Sequence, residues 1–243
     1  MHSNHWRLEA SHAQLAAAPR TAQLELGDLG LGLIFDNLAP SPFLRLLALQ
    51  ADAWHAGGPP LRDGFVRGND LIAYYEPVPH WPVALELHWR AYPPLPEHAW
   101  QLDLQVSAHT DLLDSDPQLE VISRAAAREV FDISPRGTQP SPLERGSRGA
   151  PATSATLVRL AGGELSLVHM VHPTDFCAAL VSSESRDFGQ LLKLQHRLFG
   201  ERLEKGVIRR ARIRCQLVPQ ADDLARARAA FTEFSTEDPD LSA

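Results

Sequence analysis

Cysteine is nearly absent from this chain: Cys177 and Cys215 are its only two among 243 residues. Two cysteines cannot build a disulfide framework, and without a CxxC a zinc site made of cysteines is excluded. No run approaches the ~20 apolar residues of a membrane helix. The opening MHSNHWRLEASHAQLAAAPR lacks the apolar core of a signal peptide. The expectation is a cytoplasmic protein with no membrane partner. Basic charge is short as well, with 23 Lys and Arg against 30 Asp and Glu and a formal net charge of -7. That argues against nucleic acid as the partner, because phosphate binding relies on clustered cations. No GxSxG, GxxxxGK[ST], HExxH or GxGxxG is present, and the glycines of LGDLGLGLIF run in the wrong order for dinucleotide binding. No cofactor and no metal are expected.

What the chain does have is alternation. Val83, Leu85, Leu87 and Trp89 alternate strictly with polar residues, and so do Trp100, Leu102, Leu104 and Val106. Strict period 2 marks strands with one face on a core. Similar short runs recur at 21–36, 43–54, 64–75, 118–124, 154–172 and 207–219, with Gly-Asn-Asp and Gly-Gly as turn signals. Phe188, Leu191, Leu192, Gln195, Leu198 and Phe199 follow helical spacing, as do Leu224, Ala227, Phe231 and Phe234, with Asp222 or Asp223 as a cap. The expected fold is mostly β: a large antiparallel β-sandwich, supersandwich-like, with about two helices near the C-terminus. Strand following strand argues against a βαβ fold. Residues 1–20, with His2, His5 and His12, read as a loosely ordered leader. Residues 21–235 read as one domain carrying a long exposed loop at 132–155, rich in Pro, Gly, Ser and Arg, and 236–243 as a polar tail.

The polar side of the 85–109 hairpin carries Glu86, His88, Arg90, Gln101, Asp103, Gln105, Ser107 and His109. With Arg90 set opposite Gln101, His88 faces Asp103 and Glu86 faces Gln105. A His beside a carboxylate is a proton-transfer pair, because the carboxylate fixes the tautomer and supports the imidazolium. A merely solvated face, with cross-strand pairs of about a few tenths of a kcal/mol each, accounts for the same pattern. His172 and Asp175 meet where Pro173 turns the chain. Arg210, Arg212 and Arg214 share one strand face and repel unless acidic side chains or an anionic ligand answer them.

The segments MVHPTDF and LFGERLEKGVIRRARIRCQLVP resemble the end of galactose-mutarotase-like β-supersandwich proteins, the group of the aldose 1-epimerases and many uncharacterised relatives. In those epimerases a His protonates the ring oxygen and a late Glu takes the anomeric proton. The resemblance implies His172 for the former, with Thr174-Asp175 where an aromatic is expected, and assigns no position to the Glu. It also implies a sugar or sugar phosphate as ligand. Two functions stand. One is carbohydrate binding or cofactor-independent epimerisation on the polar face, with His88, Asp103 and His172 as reacting groups. Glu86, Arg90, Gln101, Gln105, His109, Arg210 and Arg212 would bind the ligand, and Trp54, Trp81, Trp89 or Trp100 would stack on the sugar. The other is a non-enzymatic structural or protein-interaction module. A third reading, an anion binder built on Arg210, Arg212 and Arg214, follows from those residues alone.

Overall fold

The computed structural model describes residues 5–17, 20–36, 43–54, 58–95, 100–134, 137–141, 154–187 and 189–238. His2, most of the 132–155 loop and residues 239–243 of the tail lie outside them. The strands run β1 Trp6–Glu9, β2 His12–Ala17, β3 Arg20–Glu25, β4 Leu33–Asp36, β5 Leu44–Ala51, β6 Leu61–Arg67, β7 Asp70–Tyr75 and β8 Ala84–Tyr92. They continue as β9 Trp100–His109, β10 Leu119–Ser134, β11 Gly137–Ser141, β12 Ala155–Leu160, β13 Leu165–Val171, β14 Ala178–Arg186, β15 Gly189–Arg197 and β16 Arg209–Pro219. The single helix among the described residues, α1, spans Asp223–Thr236.

The fold is mostly β and antiparallel. All strands join one sheet, nearly closed into a barrel, rather than two separate sheets of a sandwich. Its path is β1-β2-β3-β4-β5-β10-β12-β13-β16-β9-β8-β7-β6, with β11, β14 and β15 branching off. At the closing edges Leu8 of β1 lies against Gly64 of β6. β10 is the junction. Its first half pairs β5 on one side and β15 on the other, and its second half pairs β12 and β11. A register shift between Ala127 and Glu129 marks the change.

The alternating leucines, valines and tryptophans face inward and form the main core. In β5 the alternation breaks at Leu46-Leu47, and both are buried. Here two residues of β5 oppose one of β10, Leu47 takes φ +59°, and its N–H donates to the buried Ser123 hydroxyl at 3.1 Å. A β-bulge with one residue in the left-handed region resets which side chains point inward. Strands β12, β13 and β16 are covered on both faces. Leu167 and Val171 face the main core, while Val168, Met170 and Val218 lie under Ala227, Phe231 and Phe234 of α1. Burial of each phenylalanine contributes about 1.5–3 kcal/mol, which seats the helix.

Three local expectations are corrected. Within the segment expected to be helical, Gly189–Arg197 is β15: Leu192, Leu194 and His196 alternate onto the core while the strand pairs β10 and β14, and Phe188 lies outside the described residues. Trp6–Glu9 and His12–Ala17 of the supposed leader are strands, with Trp6 and Leu15 buried. The polar stretch from 132 begins as the rest of β10 and the short β11 paired to it. At the helix start Asp222 makes no side-chain cap. Asp223 instead accepts from Arg159 at 2.9 and 3.1 Å and from Ser166 at 2.7 Å.

Inside the core, His169 of β13 and His196 of β15 stack with centroids 4.8 Å apart and planes 5° apart. Neither is more than 1% exposed, and none of their four ring nitrogens has a hydrogen-bond partner. Burial drives both toward the neutral form, His196 down to about 4 from 6.5. The unfolded chain therefore binds the extra proton first, and stability is lost as pH falls from about 6.5 toward 4. For His196 this amounts to about 3 kcal/mol at the low end, and His169 adds in the same direction. In urea unfolding from pH 7 to pH 4, His196→Leu should show a slope shallower than wild type by that amount. Equal slopes would mean that the imidazole is not held neutral.

Candidate functional site

The polar residues of β7, β8, β9 and β16 share the outer face of the sheet, opposite the core. Their cross-strand partners differ from the simplest hairpin register by two residues. Tyr92, not Arg90, stands opposite Gln101, so Arg90 faces Asp103, His88 faces Gln105 and Glu86 faces Ser107. The same residues stay on the same face, as a two-residue slip requires.

His88 and Asp103 therefore do not form a dyad. His88 and Arg90 both turn to Asp70, the first residue of β7. Arg90 Nε donates to Asp70 Oδ1 at 2.9 Å, and His88 Nε2 lies 3.3 Å from Oδ2, outside hydrogen-bond alignment. Burial alone would raise the Asp70 carboxyl, but the hydrogen bonds and charge of Arg90, with His88, hold it below its ordinary value. Asp103 belongs to Arg214. Arg214 Nε and Nη2 donate to its two oxygens at 2.7 Å each, and the Tyr92 hydroxyl donates to Oδ2 at 3.0 Å. Arg214 is 3% exposed and packs over the Phe234 ring at 4.6 Å. Its Nη1 and Nη2 also donate to Glu237, just past α1, at 2.7 and 2.8 Å. Burial pushes the Asp103 carboxyl up, Arg214 and Tyr92 pull it back, and Glu237 adds to the push. Burial also pushes the Tyr92 phenol up, with Asp103 adding to it.

A third group surrounds Arg212. Its backbone N–H and Nε both donate to Asp175 Oδ2 at 3.0 Å, Nη1 donates to the Glu237 carbonyl at 3.2 Å, and Nη2 donates to His172 Nδ1 at 2.8 Å. A guanidinium only donates, so His172 Nδ1 accepts and its proton sits on Nε2. His172 is 4% exposed and edge-on to Phe234. Burial and then the Arg212 charge lower its basicity. Of Arg210, Arg212 and Arg214, the last two are thus answered by internal carboxylates.

These groups bound a cleft of about 100 Å³ that holds five of the expected residues, His88, Arg90, Asp103, Gln105 and Arg212. Tyr92, Leu104, Phe234, Glu237 and Asp238 complete it. The Gln105 side chain makes no hydrogen bond among the described residues. The other expected residues lie elsewhere. Gln101 accepts from Gln216 Nε2 at 2.7 Å and lines a groove of about 560 Å³ beside α1. Glu86 and His109 line a separate cleft of about 590 Å³ with Arg62, Tyr74 and Asp111. Arg210 is exposed opposite Ser107, and His172 is behind the cleft. Trp81, Trp89 and Trp100 are buried in the main core and Trp54 packs against Trp81, so none of these can stack on a ligand at the outer face. Among the described residues no group of three or more His, Cys, Asp or Glu side chains is placed to hold a metal ion. Among the described residues no helix is long and apolar enough to cross a membrane.

Asp70 was open to discovery, since the Gly68-Asn69 turn and period 2 put it on the His88 face. Glu237 left no such signal, because only the packing of α1 brings it to the sheet.

No family model matches the sequence, and no curated protein does. Solved structures do match the fold. A candidate aldose 1-epimerase from Klebsiella pneumoniae superposes with a TM-score of 0.58 at 8% identity, over 96% of this chain and 87% of that one. A candidate mutarotase from Salmonella typhimurium gives 0.56 at 8% identity, over 88% and 93%. A TPR-domain containing protein from Parabacteroides distasonis gives 0.58 at 8%, over 96% of this chain and 49% of that one. The chain resembles the galactose-mutarotase-like proteins at the level of fold pattern.

The two polar groups differ in what they support. Asp103→Ala strips a nearly buried guanidinium of two charge-assisted bonds, and urea unfolding should register a loss of about 3 kcal/mol. His88→Ala leaves the Arg90–Asp70 pair intact and should cost less than about 1 kcal/mol. A reversed order would show that the Arg214 cluster does not hold the sheet.

Proposed function

We propose that this protein binds a sugar on the polar outer face of β7, β8, β9 and β16, without catalysing its epimerisation. The observation that carries the reading is the cleft itself. His88, Arg90, Asp103, Gln105 and Arg212 converge there, His88 Nε2 lies 3.3 Å from the Asp70 carboxylate without an aligned hydrogen bond, and the Gln105 side-chain amide makes no hydrogen bond among the described residues. Buried or half-buried polar groups that the protein leaves unsatisfied are where a polyol's hydroxyls gain most. The fold likeness to candidate aldose epimerases adds an associational argument for a carbohydrate. The free thiol of Cys177, exposed at the surface, suits a reducing compartment, and we place the protein in the cytoplasm.

Two side chains speak against epimerisation. Proton transfer at a sugar ring needs an acid and a base with free atoms within reach of it. His172 keeps its Nε2 free but does not line the cleft, and its Nδ1 is taken by Arg212 and its ring packed on Phe234. Glu237, the late Glu beside the cleft, has both oxygens engaged by Arg214. The alternative, a protein-interaction module, draws on one observation. The cleft holds about 100 Å³, whereas ligand pockets usually measure about 300–1,000 Å³.

Proton NMR of the intact protein with a panel of aldoses and sugar phosphates separates these. Broadening of sugar resonances that disappears in Gln105→Ala, at an unchanged rate of anomer interconversion, is the expected result. Faster interconversion would make the protein an epimerase. A panel with no broadening at all would leave the interaction module.

A further inference from the structure

The small cleft and the 560 Å³ groove beside α1 are neighbours. Both are lined by Tyr92 and Glu237, and Arg214, which lines the groove, holds Asp103, which lines the cleft. What separates them is a wall of polar contacts: Tyr92 to Asp103, Asp103 to Arg214, Arg214 to Glu237. Three members of that wall stand on strands of the sheet. Glu237 stands beyond the helix, held by Arg214 at its carboxylate, by Arg212 Nη1 at its carbonyl and by its N–H on the Phe234 carbonyl. It follows the last residue of α1 in extended backbone, φ -67° and ψ 127°, and its side chain is 38% exposed.

Charge singles out the same residue. Arg90, Arg212 and Arg214 face four carboxylates, those of Asp70, Asp175, Asp103 and Glu237. Withdrawing the Glu237 side chain leaves Arg214 paired with Asp103 and Arg212 with Asp175. It also relieves the repulsion between Glu237 and Asp103 across Arg214. Phe234, 2% exposed, anchors the helix one turn earlier, so the motion needs only the residues beyond it.

We propose that the Glu237 carboxylate is an internal plug, that its withdrawal joins cleft and groove into one site, and that the ligand is a sugar acid whose carboxylate replaces Glu237 on Arg214. The proposal rests on the sugar-binding reading and names its ligand class. Arg214 offers Glu237 a planar pair of N–H donors, and a carboxylate matches that fork in geometry and charge. A neutral sugar cannot restore the ion pair that opening breaks. The joined site has the size of a ligand pocket, and it brings Gln101 and Gln216 within reach of the same ligand as His88 and Gln105.

The test is calorimetric titration of the intact protein, wild type and Glu237→Ala, with D-glucuronate and with D-glucose. Removing the plug should tighten glucuronate binding about tenfold or more, as expected when a site spends about a tenth of its time or less open. Glucose should remain the weaker ligand in both. Hydrogen exchange on the wild type gives a readout that needs no variant: glucuronate should speed exchange at Ser235–Glu237, and glucose should not. If Glu237→Ala does not fold, Glu237→Gln keeps the shape, removes the charge and should show the same direction. Equal binding of both sugars, unaffected by either substitution, would overturn the plug and leave sugar binding standing. Folded variants and wild type that bind neither sugar would overturn both.

Discussion

A guanidinium that is 3% exposed has to be answered from within, and Arg214 is that guanidinium. Removing an ionised group from water costs several kcal/mol, recovered only where partners are close and well aligned. Asp103 supplies one fork of hydrogen bonds from β9 and Glu237 supplies another from beyond α1. The first fixes how β9 lies beside β16, since Arg214 and Asp103 stand directly opposite. The second fixes where the helix ends. The shape of the outer face follows from these two demands, including the cleft that they enclose.

The inner half of the fold was readable because apolar alternation has a single physical meaning. Leu85, Leu87, Trp89, Leu102 and Leu104 could face only a core, and they do. The reading failed where two periods fit one stretch. Phe188, Leu191, Leu192 and Leu198 match a helix, yet Leu192, Leu194 and His196 match a strand, and pairing with both β10 and β14 decides for the strand. The tryptophans illustrate a second limit. Large aromatics suit a sugar's apolar face, but Trp89 and Trp100 have the parity of their leucine neighbours, and parity wins. In the site, face membership was legible and partnership was not. Period 2 put His88, Arg90, Asp103 and Gln105 together, while register gave His88 to Asp70 and Asp103 to Arg214. Register depends on the connection after Tyr92, which alternation does not encode.

Likeness of fold at 8% identity says how the chain runs and little about what it handles. The side chains carry that burden, and here they are heavily committed to one another. Every arginine lining the cleft has a carboxylate in hydrogen-bond contact. Such a surface is built first as structure. Any ligand has to compete with contacts that the protein already makes.

The branching of the sheet at β10 has a bearing on how the chain reaches its native state. Leu119–Ser134 takes partners from β5, which precedes it by some seventy residues, and from β15, which follows at a similar distance. On a ribosome adding about 5–20 residues each second, one edge of that strand waits several seconds for its partner. During that wait a long strand with one unpaired edge is open to pairing with other nascent chains. The architecture that makes β10 the junction of the nearly closed sheet also makes it the point where assembly is most exposed to error.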